Sequence, residues 1–177
     1  MLSMVEYVHH RVLTYKGNVV ADFTMGNGYD TYFLASHFQT VYAFDVQEEA
    51  LKNTKKKLSS FENVIYILDD HKNMNWYLNT FDIGIFNLGF LPRSNSHITT
   101  VLSSTKEAIE KAIEYMTTAL FVVVYPGHKE GAIESQWIDD FVRQLDSHKY
   151  NVSCFKMMNK NKSPYVLEIE KRKEKRL

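Results

Sequence analysis

Short apolar runs alternate along this chain with longer amphipathic stretches, and no other feature narrows the choice of fold as much. Val19 to Phe23, Val41 to Asp45, Val64 to Leu68, Asp82 to Asn87 and Leu120 to Tyr125 have the length and the β-branched or aromatic content of buried strands. Between them, the spacing predicts helices over about 29–37, 48–58, 99–116 and 133–145. In the second of these, Ala50, Leu51, Thr54 and Leu58 face inward. A further helix opens the chain from Leu2 to Thr14, with Val5, Val8, Val12 and Leu13 on one face and Gly17-Asn18 ending it. Asp70 to Leu78 reads as a short helix or turn, and Tyr150 to Met157 with Tyr165 to Ile169 as a final antiparallel pair. Glycine and proline fall singly between these segments, which suits one domain over 1–177. The fold expected is α/β and Rossmann-like, a mainly parallel seven-stranded sheet with helices on both faces. Ligands of such sheets bind beyond the carboxyl ends of the strands, so the residues that follow each strand carry the functional argument.

The first strand runs into Thr24-Met25-Gly26-Asn27-Gly28-Tyr29-Asp30-Thr31. Glycines there let the chain turn sharply and let a ligand approach the backbone, and the next helix begins with unpaired N–H groups. Thr31 stands where a dinucleotide fingerprint has its third glycine, which argues against NAD. Asp22 is a carboxylate within a strand, and its burial calls for an amide network or a ligand amine as partner. The second strand ends Asp45-Val46-Gln47. An acid there can accept from both ribose hydroxyls of an adenosine, or else cap the helix that starts at Glu48. The third ends Asp69-Asp70-His71, within reach of an adenine amine, with a cap or turn as the alternative. Together these strand ends point to an adenosine-bearing ligand.

The fourth strand ends Asn87-Leu88-Gly89-Phe90-Leu91-Pro92. An amide oxygen beside carbonyls suits the orienting of an amine, and Phe90 suits stacking on a flat base. A turn that merely closes the strand is the plainer alternative. Methyl transfer from a sulfonium is mainly a positioning problem. Asn87 accepts hydrogen bonds but is no strong base, so His97, His128 or water would take the amine's proton. His128 follows the fifth strand in Tyr125-Pro126-Gly127-His128, on the same rim, and a histidine suits proton transfer near neutral pH.

The motifs Asp22-x-Thr24-x-Gly26-Asn27-Gly28-x-Asp30-Thr31, Asn87 to Pro92 and Tyr125 to His128 resemble those of the small bacterial "putative rRNA methylase" family. The resemblance runs on to Ser163-Pro164-Tyr165 and Glu168 to Lys171. It implies a class I methyltransferase fold and S-adenosyl-L-methionine as cofactor. It also implies a tRNA reaction, conversion of 5-aminomethyl-2-thiouridine at wobble position 34 to 5-methylaminomethyl-2-thiouridine. On the family's pattern Gly26, Asn27, Gly28, Asp30 and Thr31 hold the methionine part and ribose, with Asp22 and Met25 at the same turn. Asp45 and Gln47 serve the ribose and adenine side, and Asp70 and His71 the adenine. Asn87 and Leu88 lie beside the transferable methyl. Phe90, Pro92, His97, Tyr125, Gly127, His128 and Tyr165 line the nucleotide pocket, and Asn87 and His128 carry the catalytic roles. Phe23 and Met25 stand where small residues are expected around Thr24, and Phe90 where tyrosine is common. Rival readings are methylation of rRNA or of a small-molecule amine, and a non-catalytic domain that senses S-adenosylmethionine or another nucleotide. The loop from Asn87 to Pro92 favours catalysis, because a sensor has no use for it.

Charge bears on the partner. Lys+Arg and Asp+Glu both total 21, which argues against a non-specific nucleic-acid binder. It is compatible with recognition of one extruded loop base in an aromatic pocket, and so with the tRNA anticodon stem-loop the resemblance implies. The basic tail 171–177, with Lys156, Lys160 and Lys162, offers phosphate contacts or is simply a solvated end. Cys154 is the one cysteine, so there is no intrachain disulfide and no cysteine-rich metal site. Met1 to Tyr7 lacks a secretory pattern, and no apolar run has membrane length. The expectation is a cytoplasmic enzyme with no metal and no membrane partner, for which a homodimer is compatible.

Overall fold

The computed structural model describes residues 3–89 and 98–173. Helix α1 spans Met4–Val12 and starts on a reciprocal cap. The Ser3 hydroxyl accepts from the Glu6 amide at 3.2 Å, and the Ser3 amide donates to the Glu6 carboxylate at 2.7 Å. Then follow β1 (Val19–Asp22), α2 (Tyr29–His37), β2 (Thr40–Asp45), α3 (Glu48–Lys57) and β3 (Val64–Leu68). A short 3-10 helix, His71–Trp76, occupies the segment expected as a short helix or turn. The second half runs β4 (Phe81–Asn87), α4 (Ile98–Tyr115), β5 (Met116–Val124), α5 (Lys129–Arg143), β6 (Tyr150–Lys156) and β7 (Tyr165–Lys171).

The seven strands lie in the order β3-β2-β1-β4-β5-β7-β6. β1 to β5 are parallel, and β7 runs antiparallel to both β5 and β6. The order reverses between β1 and β4, so β1 and β4 end side by side at the switch point, where ligands of such sheets bind. Their register pairs Asp22 with Ile85, which leaves Asn87 just beyond the end of β1.

Each face of the sheet carries its own core, which is why the inner strands read as continuous apolar runs. One core gathers Phe23, Phe44, Phe81, Phe86 and Met74 with Ala108, Ile109 and Ala112 of α4 and Ile138 of α5. The other gathers Val8 and Val12 of α1, Leu34 and Ala35 of α2, Ile83, Phe121 and Val123. Phe23 sits at the centre of the first, with ring centroids 4.6 Å from Phe86, 5.3 Å from Phe81 and 5.5 Å from Phe44. A small residue there would leave a void among three rings. Helix α1 is pinned to the sheet by Arg11, whose guanidinium donates twice to Glu168 of β7 at 2.9 and 2.6 Å, and by the Tyr15 hydroxyl on the same carboxylate.

Several boundaries differ from expectation. α5 starts at Lys129, four residues before Ile133, because His128 takes the N-cap position. α4 passes directly into β5 at Met116, whose side chain is fully buried. The basic tail is shorter than its composition suggests. Lys171 ends β7 and donates to the Met116 carbonyl at 3.1 Å, while Arg172 donates to the Ser147 carbonyl at 2.8 Å. Residues 174–177 lie outside the described residues. Among the described residues no helix is long and apolar enough to cross a membrane.

Candidate active site

The glycine turn after β1 is held from three sides. Gly26 and Gly28 take positive φ values of 50° and 74°, the left-handed region that glycine enters without a Cβ penalty. A Cβ on Gly28 would meet Thr54 Cγ2 and Oγ1 of α3 at 2.7 Å. The Thr54 hydroxyl donates to the Gly26 carbonyl at 3.1 Å, and Lys57 Nζ donates to the Asn27 carbonyl at 2.6 Å while lying 3.4 Å over the Tyr29 ring. From β2, the Asp45 carboxylate accepts from the Gly26 amide at 2.9 Å through one oxygen and from the Gln47 amide at 2.9 Å through the other. Asp45 is therefore not the cap of α3, a position that Gln47 takes. A carboxylate offers about four acceptor sites, so Asp45 retains capacity for two hydroxyls.

Asp22, Met25 and Thr31, expected at the cofactor, form the buried side of the turn, and for Asp22 the structure shows the amide partner that was the alternative to a ligand amine. Asp22 is completely buried and finds its partners within the chain. It accepts from the Thr24 amide at 3.1 Å and from the Thr31 hydroxyl at 2.6 Å, which ties the turn to α2. Burial and the neighbouring Asp30 charge push its pKa up, to about 7. Thr31 has no exposed surface. The Met25 side chain is in the core, its amide donates to the Phe44 carbonyl, and its carbonyl accepts from the Gly28 amide. All three build the turn from behind.

At the end of β3, Asp70 caps the 3-10 helix by accepting from the Lys72 amide at 3.0 Å, and it also accepts from the Ser104 hydroxyl. His71 sets Nδ1 2.9 Å from the Phe23 carbonyl. A carbonyl only accepts, so the proton is on Nδ1 and Nε2 is left as an acceptor. Burial lowers the His71 pKa and so favours this neutral form.

Asn87 ends β4 at the centre of the rim. Its amide N–H donates to the Thr24 hydroxyl at 2.7 Å, and its side-chain Nδ2 donates to Asp30 at 3.2 Å. Its Oδ1 is turned toward Gly89 and the Tyr125 ring. The other Asp30 oxygen accepts from His9 Nε2 of α1 at 2.7 Å. Burial and the Asp30 charge raise the Tyr125 hydroxyl's pKa, opposed by a hydrogen bond with Asn87. Leu88 is half-buried and donates its amide to the Val123 carbonyl at 3.0 Å. His9, Tyr29, Asp30, Phe33 and Asn87 line a cleft of about 490 Å³. A depression of about 630 Å³ at the amino ends of β2 and β3 lies at the wrong end of the sheet for ligand chemistry.

The remaining expected residues divide. Tyr125, Gly127 and His128 follow β5 on this rim, with the His128 ring over Gly131 at the head of α5. Tyr165, expected in the nucleotide pocket, is instead a core residue. It is 3% exposed and its hydroxyl donates to Asp139 at 2.8 Å, because β7 pairs with β5 and its Tyr165 stands opposite Val124. Phe90, Pro92 and His97 lie outside the described residues. His9, Thr24 and Thr54 are new to the site. His9 carries no signal in the sequence beyond its place in an amphipathic helix, since its partner is 21 residues away.

A parallel sheet reversing between β1 and β4, a glycine turn after the first strand and an acid after the second define a Rossmann-like class I methyltransferase that uses S-adenosylmethionine. Residues 41–170 match the family model described as "Putative rRNA methylase", and the chain belongs to that family. A protein of Streptococcus mutans described as "a putative methyltransferase", solved in complex with S-adenosylhomocysteine, is 34% identical with a TM-score of 0.86, over 97% of this chain and 99% of that one. A structure from Clostridium thermocellum described as a "putative rRNA-methylase" is 33% identical with a TM-score of 0.90, over the same 97% and 99%. A curated relative from Arabidopsis thaliana is named tRNA (mnm(5)s(2)U34)-methyltransferase, chloroplastic. It is 27% identical over 89% of this chain, which spans 64% of that protein's length.

Proposed function

We propose that this enzyme methylates the primary amine of 5-aminomethyl-2-thiouridine at the wobble position of tRNA, presented on the anticodon stem-loop. The observation that carries this reading is the Asn87 side chain. Its Nδ2 donates to Asp30, so Oδ1, beside the Tyr125 ring and with two lone pairs, is the end that can accept from an incoming N–H. That polarity suits an amine nucleophile, which donates hydrogen bonds while directing its lone pair elsewhere. The Arabidopsis relative's name supplies the particular amine.

The residues present fit the cofactor. Gly26 and Gly28 put no Cβ on either side of Asn27, which stands exposed at the tip of the turn. Asp45 has acceptor capacity for the ribose hydroxyls, with Gln47 beside it. Asp70 and the Nε2 acceptor of His71 would serve the adenine, and Leu88 would lie beside the methyl. Bound there, S-adenosylmethionine supplies a methyl carried on a sulfonium and open to in-line displacement. The protein's part is to hold the amine unprotonated and in line. Asn87 Oδ1 orients the amine, Tyr125 and Gly127 shape the base's side of the rim, and His128 takes the proton released.

Nucleoside mass spectrometry of tRNA from a deletion strain tests the reading, with wild-type and Asn87→Ala proteins supplied in trans. Accumulation of unmethylated 5-aminomethyl-2-thiouridine, corrected by the wild type and not by Asn87→Ala, is expected. An unchanged tRNA profile with a lost rRNA methylation would overturn it in favour of the ribosomal substrate that the family's description names.

A further inference from the structure

Asp30 makes contacts that no simple cofactor ligand needs. Its carboxylate is 7% exposed, and both oxygens are occupied, one by His9 Nε2 at 2.7 Å and the other by Asn87 Nδ2 at 3.2 Å. An asparagine amide is nearly symmetric in shape, and only its hydrogen-bond partners decide which end is nitrogen. A carboxylate accepts and does not donate, so it draws Nδ2 toward Asp30 and leaves Oδ1 turned toward Gly89 and the Tyr125 ring on the rim. The Tyr125 hydroxyl, Asn87's other partner, both donates and accepts and so does not fix the direction; without Asp30 the amide can turn over and present N–H groups to the amine, the wrong polarity for orienting it.

His9 completes the arrangement. A buried carboxylate without donors is costly, and Asp22 lies close enough for the two charges to oppose one another. His9 provides a donor from α1, and its ring is locked face to face on Phe33, with centroids 3.8 Å apart and planes 2° from parallel. The clasp of Arg11 and Tyr15 on Glu168 keeps α1 in place two residues further on. Neither His9 nor Asp30 lies within the residues 41–170 that the family model covers.

We propose that His9 and Asp30 are positioning residues of the methyl-acceptor site, through which the N-terminal helix decides which end of the Asn87 amide meets the amine. The inference rests on the reading that Asn87 receives that amine.

The test uses full-length Asp30→Asn, His9→Phe and His9→Gln proteins. The phenylalanine keeps the stack on Phe33 without a donor, and the glutamine returns a donor near the position of Nε2. Asn87→Ala assigns the Asn87 side-chain amide resonance in a 1H–15N spectrum. In His9→Phe and Asp30→Asn that resonance is expected to move, while in His9→Phe S-adenosylhomocysteine affinity stays within about threefold. On tRNA from a deletion strain, kcat should fall by about 10- to 100-fold, the range a misplaced reacting group costs, with KM little changed. His9→Gln should restore both the resonance and most of kcat. An unmoved Asn87 resonance in either variant overturns the proposal, as does, in His9→Phe, a loss of S-adenosylhomocysteine binding that accounts for the whole fall in kcat. Full methyl transfer by Asn87→Ala instead brings down the reading of Asn87 itself, and the resonance still reports whether His9 and Asp30 hold that side chain.

Discussion

Replacing Gly28 by alanine tests how the glycine turn is built. Gly28 has φ of 74°, and a left-handed conformation costs a non-glycine residue roughly 1–2 kcal/mol. The added Cβ would stand 2.7 Å from both Cγ2 and Oγ1 of Thr54 and 3.1 Å from its Cβ. Thr54 has no exposed surface, and its hydroxyl is engaged by the Gly26 carbonyl, so it has little room to turn away. Overpacking of this kind costs roughly 1–3 kcal/mol. Gly28→Ala should therefore lose roughly 2–5 kcal/mol of stability in equilibrium urea unfolding, a large part of a typical domain's total. Thr54→Ala alone should lose about 1 kcal/mol with its hydrogen bond. The double variant should be less destabilised than the sum, because the two 2.7 Å contacts vanish while the 3.1 Å contact with Cβ of residue 54 and the φ part remain. Calorimetric titration with S-adenosylhomocysteine should show weakened binding by Gly28→Ala, since the turn carries the Gly26 amide held by Asp45. A Gly28→Ala protein within 0.5 kcal/mol of wild type, or a strictly additive cycle, would refute the account.

Three further outcomes are expected. Asp45→Ala should weaken S-adenosylhomocysteine binding by at least about 100-fold, since two hydrogen bonds to a charged group contribute roughly 1.5–3 kcal/mol each. A change below threefold by calorimetry would remove Asp45 from the ribose site. Asp22 has a folded-state pKa raised from the ordinary 3.8 to about 7, so its contribution to stability is present below pH 3.8 and is lost as pH rises through about 7. Urea unfolding across pH 4 to 8 should therefore show a fall for wild type that is flattened in Asp22→Asn, and parallel curves would contradict the raised value. Tyr165→Phe should cost about 1 kcal/mol by loss of the bond to Asp139. It should leave kcat/KM within about twofold, and a larger loss without a matching change in stability would return Tyr165 to the nucleotide pocket.

Much of the scaffold was legible in the sequence. α2 and β3 fall at their expected bounds, because apolar periodicity and a flanking turn are set by neighbours in the chain. The Gly26 and Gly28 turn and the acid at Asp45 were readable for the same reason, since sharp turns and strand ends leave local marks. Tyr165 was misplaced because nothing near it reports that β7 lies between β5 and β6, which turns its ring into the core. Asp22 and Thr31 were read as facing a ligand because a polar residue in an apolar run has the same appearance whether its partner is a ligand or another side chain.

The sequence by itself therefore determined the elements, their alternation and the strand ends at which chemistry is possible. Only the tertiary structure decided which polar groups share that rim. His9, Asp30 and Asn87 stand 21 and 57 residues apart. They meet because α1 and α2 bury their apolar faces on the same side of the sheet, next to the point where its strand order reverses. Burial brings them together, and hydrogen bonding then sets the direction in which the Asn87 amide faces.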